Sequence, residues 1–312
     1  MSSFLHHLSL AAPLYILVLI GFAIARWKGW PRSISDVLSR FVFNIALPAF
    51  LFNMMSDFSK LPPVDARLLI AYFGGCLIVF ILGRVIGRLL FRLDGVSQSV
   101  FALGGVFSNN VLLGVPLAKS ILGDAAVPSV ALILVFNALT LWSLVTVSVE
   151  WARHGSLSLA GFTKTAWSIL TNPIIAAILA GTLFGMFGQP LPGWIQTPLA
   201  MLGQIAAPLS LVVVGMGLAD YGIREGWLPS LAICMLKLLL LPLSVWGLAL
   251  ALGLPALETQ VIVLLSSLSV GVNVYLMSRQ FNTMEAPVAT SMLLSTALSG
   301  ITTPLILSLI GS

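Results

Sequence analysis

Apolar residues along the chain fall into long runs that are separated by short polar connections. Ten of these runs approach the length of about 20 apolar residues that an α-helix needs to cross a bilayer. They lie at Leu8–Ala25, Val37–Met55, Leu68–Phe91, Ser99–Ala118, Val127–Val149, Ala166–Phe187, Ile195–Ala219, Leu228–Leu252, Thr259–Met277 and Pro287–Ile310. The pattern therefore predicts an all-α integral membrane protein with ten transmembrane helices.

Composition removes the alternative of a water-soluble fold. Of the 312 residues, 59% are hydrophobic and only 8% are charged, whereas an ordinary soluble protein carries about 25% charged residues. Soluble enzymes, nucleic-acid binders and disordered scaffolds are excluded, and the lipid bilayer becomes the principal partner of the chain. The two cysteines, Cys76 and Cys234, lie inside apolar runs and form no disulfide framework or Cys-x-x-Cys motif.

The positive charges are distributed unequally between the connections. Eleven lysines and arginines fall in the odd-numbered connections and only three in the even-numbered ones. Because cytoplasmic loops of membrane proteins carry an excess of Lys and Arg, the odd connections are predicted to be cytoplasmic. Both termini are then expected on the non-cytoplasmic side.

Short motifs recur at a nearly constant distance along the chain. The segment Asn44–Pro48 matches Gln204–Pro208 at an offset of 160 residues, and Asn137–Thr140 matches Thr296–Ser299 at 159. A duplicated unit of five helices enters the membrane from the opposite side in its second copy, which is a common plan of secondary transporters. The predicted units are a first five-helix repeat at 1–149, a short cytoplasmic linker at 150–165 and a second, inverted repeat at 166–312.

The fourth and ninth predicted helices carry polar and helix-breaking residues near their middles, within Ser108–Pro116 and Ser266–Asn273. Interruptions at matching places in two halves predict broken helices whose unwound backbone lines a binding site. The N-termini of half-helices attract anions, and asparagine amides donate to carboxylates. Alternatively, these residues only join neighbouring helices through hydrogen bonds. The predicted substrate-binding residues are Asn109, Asn110, Gly114, Pro116, Gly271 and Asn273.

Three of these motifs resemble those of a known family of membrane carriers. The segment Leu38–Phe52 resembles the second-helix signature of the auxin efflux carrier family, whose bacterial members include malonate and malate carriers. Phe107–Pro116 resembles its fourth-helix Asn…Gly-x-Pro motif, and Gly271–Tyr275 its ninth-helix Gly-x-Asn segment. The similarity extends over nearly the whole chain. It implies that helices 4 and 9 are broken and cross, that helices 1, 2, 6 and 7 form a scaffold, and that the other six form a transport domain with elevator-like movement.

The resemblance also implies a function. We expect a secondary active or facilitative transporter of small organic anions, such as malonate and other mono- or dicarboxylates, in a bacterial inner membrane. The scaffold side of the cavity is expected to be shaped by Asn44, Pro48, Gln204 and Pro208. The chain departs from many relatives in having Ser269 where they carry proline, so its second break is expected to be softer or built by Gly271 alone.

Charged residues inside the predicted helices bear on ion coupling. All ten acidic residues lie near a predicted helix boundary, and cation antiporters usually keep a buried carboxylate. A cation antiporter and proton coupling through a protein carboxylate are therefore disfavoured, and no cofactor is expected. Co-transport of a protonated substrate and a sodium site built from neutral ligands stay open. Lys237, inside the eighth segment, either pairs with a nearby carbonyl or faces the cavity as an anion partner.

Two other function classes remain as alternatives. One is a sodium-coupled symporter of larger amphipathic acids, similar to the bile-acid symporters; the other is a non-transporting membrane sensor. An intramembrane enzyme is not expected, because the spans contain no His/Asp/Glu metal cluster and no base beside their serines. The scaffold helices could support a homodimer, and the sequence does not name the substrate.

Overall fold

The computed structural model describes residues 2–27, 30–57, 64–154, 171, 173–219 and 226–310. In these ranges the chain is helical, apart from turns and one isolated antiparallel bridge between Ser108 and Val270. The helices are α1 Ser2–Trp27, α2 Arg32–Phe41, α3 Leu47–Met55, α4 Arg67–Leu89, α5 Gly95–Val106, α6 Val115–Leu122, α7 Val127–His154, α8 Pro173–Met186, α9 Gly193–Ala219, α10 Trp227–Met235, α11 Leu241–Ala251, α12 Ala256–Ser267, α13 Val272–Gln280 and α14 Glu285–Ile310.

The helical architecture agrees with the predicted all-α membrane class. Among the described residues, five helical stretches are long and apolar enough to cross a membrane: Ser33–Met55, Arg67–Leu89, Gly193–Ala219, Trp227–Ala251 and Glu285–Ile310. Several shorter apolar helices accompany them. The count of ten spans, the inverted repeat and the orientation of the termini stay predictions. Most of the linker at 150–165, and positions 166–170 of the second unit, lie outside the described residues.

Three wide π-helical turns precede a proline; two of them continue a helix, and the third begins one at Asn110. They span Val42–Ala46, Asn110–Gly114 and Leu236–Leu240, and a proline follows two residues after each, at Pro48, Pro116 and Pro242. Proline lacks an N–H and its ring collides with the carbonyl four residues earlier. In the wider turn, the backbone N–H of the residue before the proline donates to the carbonyl five residues earlier, as the N–H of Val115 does to the carbonyl of Asn110. The helix is thereby redirected without being ended.

Glycines bring two pairs of helices into backbone contact. A Cβ added to Gly21 of α1 would lie 2.0 Å from the carbonyl oxygen of Val212 in α9. A Cβ added to Gly181 of α8 would lie 2.6 Å from the carbonyl oxygen of Phe52 in α3. Within the sequence, 160 residues separate Gly21 from Gly181 and Phe52 from Val212. Only glycine permits such an approach of two backbones.

The helices that precede the two interruptions lie in the centre of the molecule. Every residue from 99 to 106 in α5 and from 261 to 267 in α12 is buried. A helix that is apolar and buried on all sides is surrounded by protein and does not face lipid. The unwound backbone after each of these helices is therefore enclosed by protein, as a membrane protein requires.

Candidate functional site

The structure brings the two interruptions predicted from the sequence into direct contact. After α5 and α12 end, their chains run antiparallel for a few residues. The backbone N–H of Asn109 donates to the carbonyl of Ser269 at 3.0 Å, and the N–H of Gly271 donates to the carbonyl of Phe107 at 2.8 Å. These two bonds satisfy backbone groups that lipid could not satisfy, so they fix the crossing of the two broken segments.

Gly271 permits the close approach of the two chains at this crossing. A Cβ at this position would lie 3.0 Å from the carbonyl oxygen of Ser108 and 3.1 Å from the ring of Phe107. Ser269 lies in the same unwound stretch, and its buried hydroxyl oxygen has no hydrogen-bond partner among the described residues. The second break is thus built without proline, from the extended residue Leu268 and from Gly271.

The residues that follow the two breaks line a cavity of about 110 Å³. Its lining comes from both unwound segments and from α7, α8 and the turn before α3, and consists of Phe43, Phe107–Leu112, Leu134, Asn137, Ile174, Ile175 and Gly271–Asn273. Of these described side chains, none is charged. Two helical segments begin at the cavity, at Asn110 and Val272. Their first turns present N–H groups without intrahelical acceptors and the positive ends of two helix dipoles.

Asn110 lies at the centre of a buried amide network. Its side chain is 2% exposed, and its Nδ2 donates to the hydroxyl of Tyr72 at 2.9 Å and lies 3.5 Å from Oδ1 of Asn137. Its own Oδ1 has no partner among the described residues. An unpaired buried acceptor costs about 1–3 kcal/mol. A ligand hydroxyl or a protonated acid in the cavity would supply the missing donor.

Four of the predicted substrate-binding residues line this cavity, and two do not. Asn109, Asn110, Gly271 and Asn273 are among the lining residues, and Gly114 and Pro116 lie further along, in and after the wide turn.

Both of the remaining residues have roles in packing. A Cβ on Gly114 would lie 2.7 Å from Leu265, so this glycine lets the turn pack closely against α12. Pro116 has no N–H to offer the carbonyl of Leu112, which instead accepts from the Ser210 hydroxyl of α9 at 3.1 Å.

The residues predicted to shape the scaffold side lie beside the cavity lining and not in it. Asn44, Gln204 and Pro208 are exposed and Pro48 is half-buried. Phe43, Ile174 and Ile175 line this side instead. Phe43 directly precedes Asn44, but the apolar residues of α8 carry no sequence signal beyond Pro173, which marks a helix start.

Lys237 lies in the wide turn between α10 and α11 and is completely buried. Its Nζ donates to the carbonyl oxygen of Ser266 at 2.5 Å, at the end of α12. The lysine is not among the residues that line the cavity. The geometry corresponds to pairing with a nearby carbonyl and places no cation against a ligand in the cavity.

Comparison with known proteins gives a consistent set of relatives. A family model described as "Membrane transport protein" matches residues 7–307. A protein of Rhizobium meliloti named "Putative malonate transporter" is 29% identical over 97% of this chain and 95% of its own length. Uncharacterized transporters of Methanocaldococcus jannaschii and Methanothermobacter thermautotrophicus are 24% and 25% identical, each over 81% of this chain and 82% of their own.

Proposed function

The chain belongs to the membrane transport protein family, that of the auxin efflux carriers, and we propose that it carries small organic anions across the bacterial inner membrane. The transporter class follows from the family, whose matched relatives are themselves named transporters. The substrate class, mono- or dicarboxylates such as malonate, is our proposal. It is supported by the chemistry of the cavity and by the name of the Rhizobium relative.

The observation that carries the proposal is the convergence of two helix N-termini on one cavity that is lined by amides. A carboxylate accepts hydrogen bonds from first-turn N–H groups and is stabilised by the positive dipole ends. The side-chain amide of Asn273 can donate to a carboxylate, and the unpaired Oδ1 of Asn110 can accept from a hydroxyl or from a protonated acid. Because the described lining has no fixed positive charge, the anion is held without an ion pair and can be released, as a carrier requires.

The size of the cavity favours compact acids over large amphipathic ones. A protein cavity of about 150 Å³ accommodates benzene, so a cavity of about 110 Å³ suits an acid with a similar or smaller number of heavy atoms. Malonate falls in this class. A steroid-sized acid would need the surrounding helices to separate, which disfavours the symporter of larger amphipathic acids.

The proposed movement is an elevator-like alternation. The close backbone contacts of Gly21 with Val212 and of Gly181 with Phe52 support a rigid scaffold made of α1, α3, α8 and α9. Their common offset of 160 residues supports an inverted repeat of units 1–149 and 166–312. Scaffold residues such as Ile175 cover one side of the cavity, so sliding of the crossing past them would expose the substrate to the other side.

Flux of labelled malonate into proteoliposomes tests the proposal, with and without an imposed sodium or proton gradient. We expect uptake by the wild type and a loss of about tenfold or more in both alanine variants. Asn273→Ala removes a charge-assisted hydrogen bond of about 1.5–3 kcal/mol. Asn110→Ala removes the unpaired acceptor and leaves the Tyr72 hydroxyl without its donor, at a cost of about 1–3 kcal/mol. Asn53→Ala is the matched control, because Asn53 lies on α3 outside the cavity. Folded alanine variants with normal uptake would refute the site. A folded wild type that carries no acid of a wider panel would refute the substrate class.

A further inference from the structure

Lys237 is a buried lysine that has no carboxylate partner in the part of the chain that the structure describes. Its side chain has no solvent exposure, and no carboxylate lies within salt-bridge distance among the described residues. An isolated ammonium in a protein interior is strongly unfavourable unless polar groups surround it. Its recorded hydrogen-bond partner is the carbonyl oxygen of Ser266, 2.5 Å from Nζ.

The group that Lys237 contacts is the negative end of a half-helix. The last carbonyls of α12 have no intrahelical donors, and together they carry the partial negative charge of the helix dipole. Side chains satisfy them one by one: Thr303 donates to the carbonyl of Ser267 at 3.0 Å, and the Ser267 hydroxyl donates to that of Leu264 at 2.8 Å. Lys237 adds a further donor to this cap through its contact with the carbonyl of Ser266.

The corresponding position of the first half of the chain lacks a cation. Counting back 160 residues from Lys237 gives Leu77, an exposed apolar residue of α4, and α4 has no Lys or Arg from Leu68 to Gly83. The lysine is therefore not a general requirement for ending a half-helix at the crossing. It distinguishes the α12 side from the α5 side.

We propose that the Lys237 ammonium is a tethered cation that occupies the C-terminal end of α12 in place of a soluble coupling ion. Broken helices of secondary transporters commonly hold Na⁺ at such carbonyl ends. Here the covalently attached ammonium stabilises the crossing at any sodium concentration. Taken with the proposed carrier function, this makes substrate movement independent of sodium at this site and gives Lys237 a positioning role behind the cavity.

Thermal unfolding of the purified protein in sodium, potassium and choline chloride of equal ionic strength tests whether Lys237 takes the place of a soluble cation. For the wild type we expect the same midpoint in all three salts. Lys237→Ala opens space for a small cation beside the carbonyl of Ser266, so its midpoint should fall in choline and recover saturably with sodium by about 2–4 °C. Lys237→Arg should stay independent of the cation. Lys119→Ala, which removes an exposed lysine, should show no cation-specific shift.

Two results would overturn the proposal that Lys237 is a tethered cation. One is a Lys237→Ala variant with equal midpoints in sodium and choline; the other is saturable stabilisation of the wild type by sodium. The second can be measured even if Lys237→Ala does not fold, and Lys237→Gln then replaces it as the uncharged variant. Because unfolding requires no substrate, failure of the malonate experiment and failure of the tether are distinguishable.

Discussion

Asn110 Nδ2 donates to the Tyr72 hydroxyl at 2.9 Å, which joins the first residue of the wide turn to a fully buried side chain of α4. The bond holds the asparagine amide at the cavity wall and leaves its Oδ1 without a partner among the described residues. The orientation of the binding amide thus depends on a side chain that does not line the cavity. Tyr72 is therefore a positioning residue for the proposed site.

We predict that Tyr72→Phe weakens substrate binding without unfolding the protein. The substitution keeps the ring and removes a hydrogen bond of about 1 kcal/mol, so uptake at low substrate concentration should fall about fivefold. Initial rates measured over a range of malonate concentrations give the change in KM. Tyr15→Phe is the control, because the Tyr15 hydroxyl also bonds a neighbouring side chain, Ser299 at 3.0 Å, away from this cavity. Equal KM values for the two variants would contradict the positioning role.

The crossing should not tolerate a side chain at position 271. The Cβ of Gly271→Ala would press against the carbonyl of Ser108, which lies between the two backbone hydrogen bonds of the crossing and so has little freedom to move. We expect loss of transport. We also expect the midpoint of thermal unfolding to fall by several degrees, since overpacking lowers the free energy of unfolding by roughly 1–3 kcal/mol. Gly247→Ala has no neighbouring atom within 4 Å, and should be neutral or slightly stabilising. The measurements are the thermal unfolding midpoint and the malonate flux of both variants. A fully active Gly271→Ala would contradict a tight crossing.

The two scaffold contacts give a paired prediction. Alanine at Gly21 or Gly181 would place a Cβ 2.0 or 2.6 Å from a backbone carbonyl, so α1 or α8 must move away from its neighbour. We expect both variants to lose folded yield and to unfold at lower temperature, whereas Gly217→Ala, which has free space, should not. Size-exclusion profiles and unfolding midpoints measure the effect. Normal stability of Gly21→Ala or Gly181→Ala would argue against backbone contact at that position.

The sequence predicted the centre of the site better than its edges. Asn109 and Gly271 could be identified because polar and helix-breaking residues inside an apolar run must be enclosed by protein. Phe43 and Ile175 could not, since an apolar side chain that lines a cavity has the same pattern as one that packs in the core. Pro116 was predicted to be a substrate-binding residue because proline signals a break, and the structure places it within a redirected helix beyond the cavity lining.

The positions of the helices could be predicted from the sequence, but the contacts between the helices could not. Apolar length marks each helix, but a single glycine in such a run gives no sign of its partner. The relation between Gly21 and Gly181 becomes visible only when the offset of 160 residues, taken from polar motifs, is applied to glycines as well. Lys237 could be recognised as unusual from sequence, but its acceptor at Ser266 depends on how α12 ends.

The N-cap of α5 should make stability depend on pH. A hydrogen bond from the Ser97 hydroxyl, together with the N–H groups of Ser97 and Val96, holds the pKa of the Asp94 carboxyl below its usual range. Since the folded pKa is the lower one, the stabilisation is complete above the unfolded value of about 3.9 and is lost as pH falls through the folded pKa. Asp94→Ala should cost about 1 kcal/mol at neutral pH.

Comparison with Asp94→Asn isolates the charge, because asparagine is an equally good N-cap. The difference in unfolding midpoint between wild type and Asp94→Asn should shrink as the pH is lowered from neutral to about pH 3. A difference that stays constant over this range would show that the carboxylate charge does not contribute.

A cysteine placed at position 273 should report on the cavity directly. Asn273 is half-buried at the cavity wall, and the native Cys76 and Cys234 are both buried, so unmodified protein should react slowly with small water-soluble thiol reagents. We expect Asn273→Cys to react readily and malonate to slow the reaction, since the anion occupies the same space. The malonate concentration is raised about tenfold above that used for the wild type, because the substitution removes one hydrogen bond to the anion. Ser291→Cys, on the buried face of α14, serves as the unreactive control. Labelling of Asn273→Cys at a rate that malonate does not change would place the substrate elsewhere.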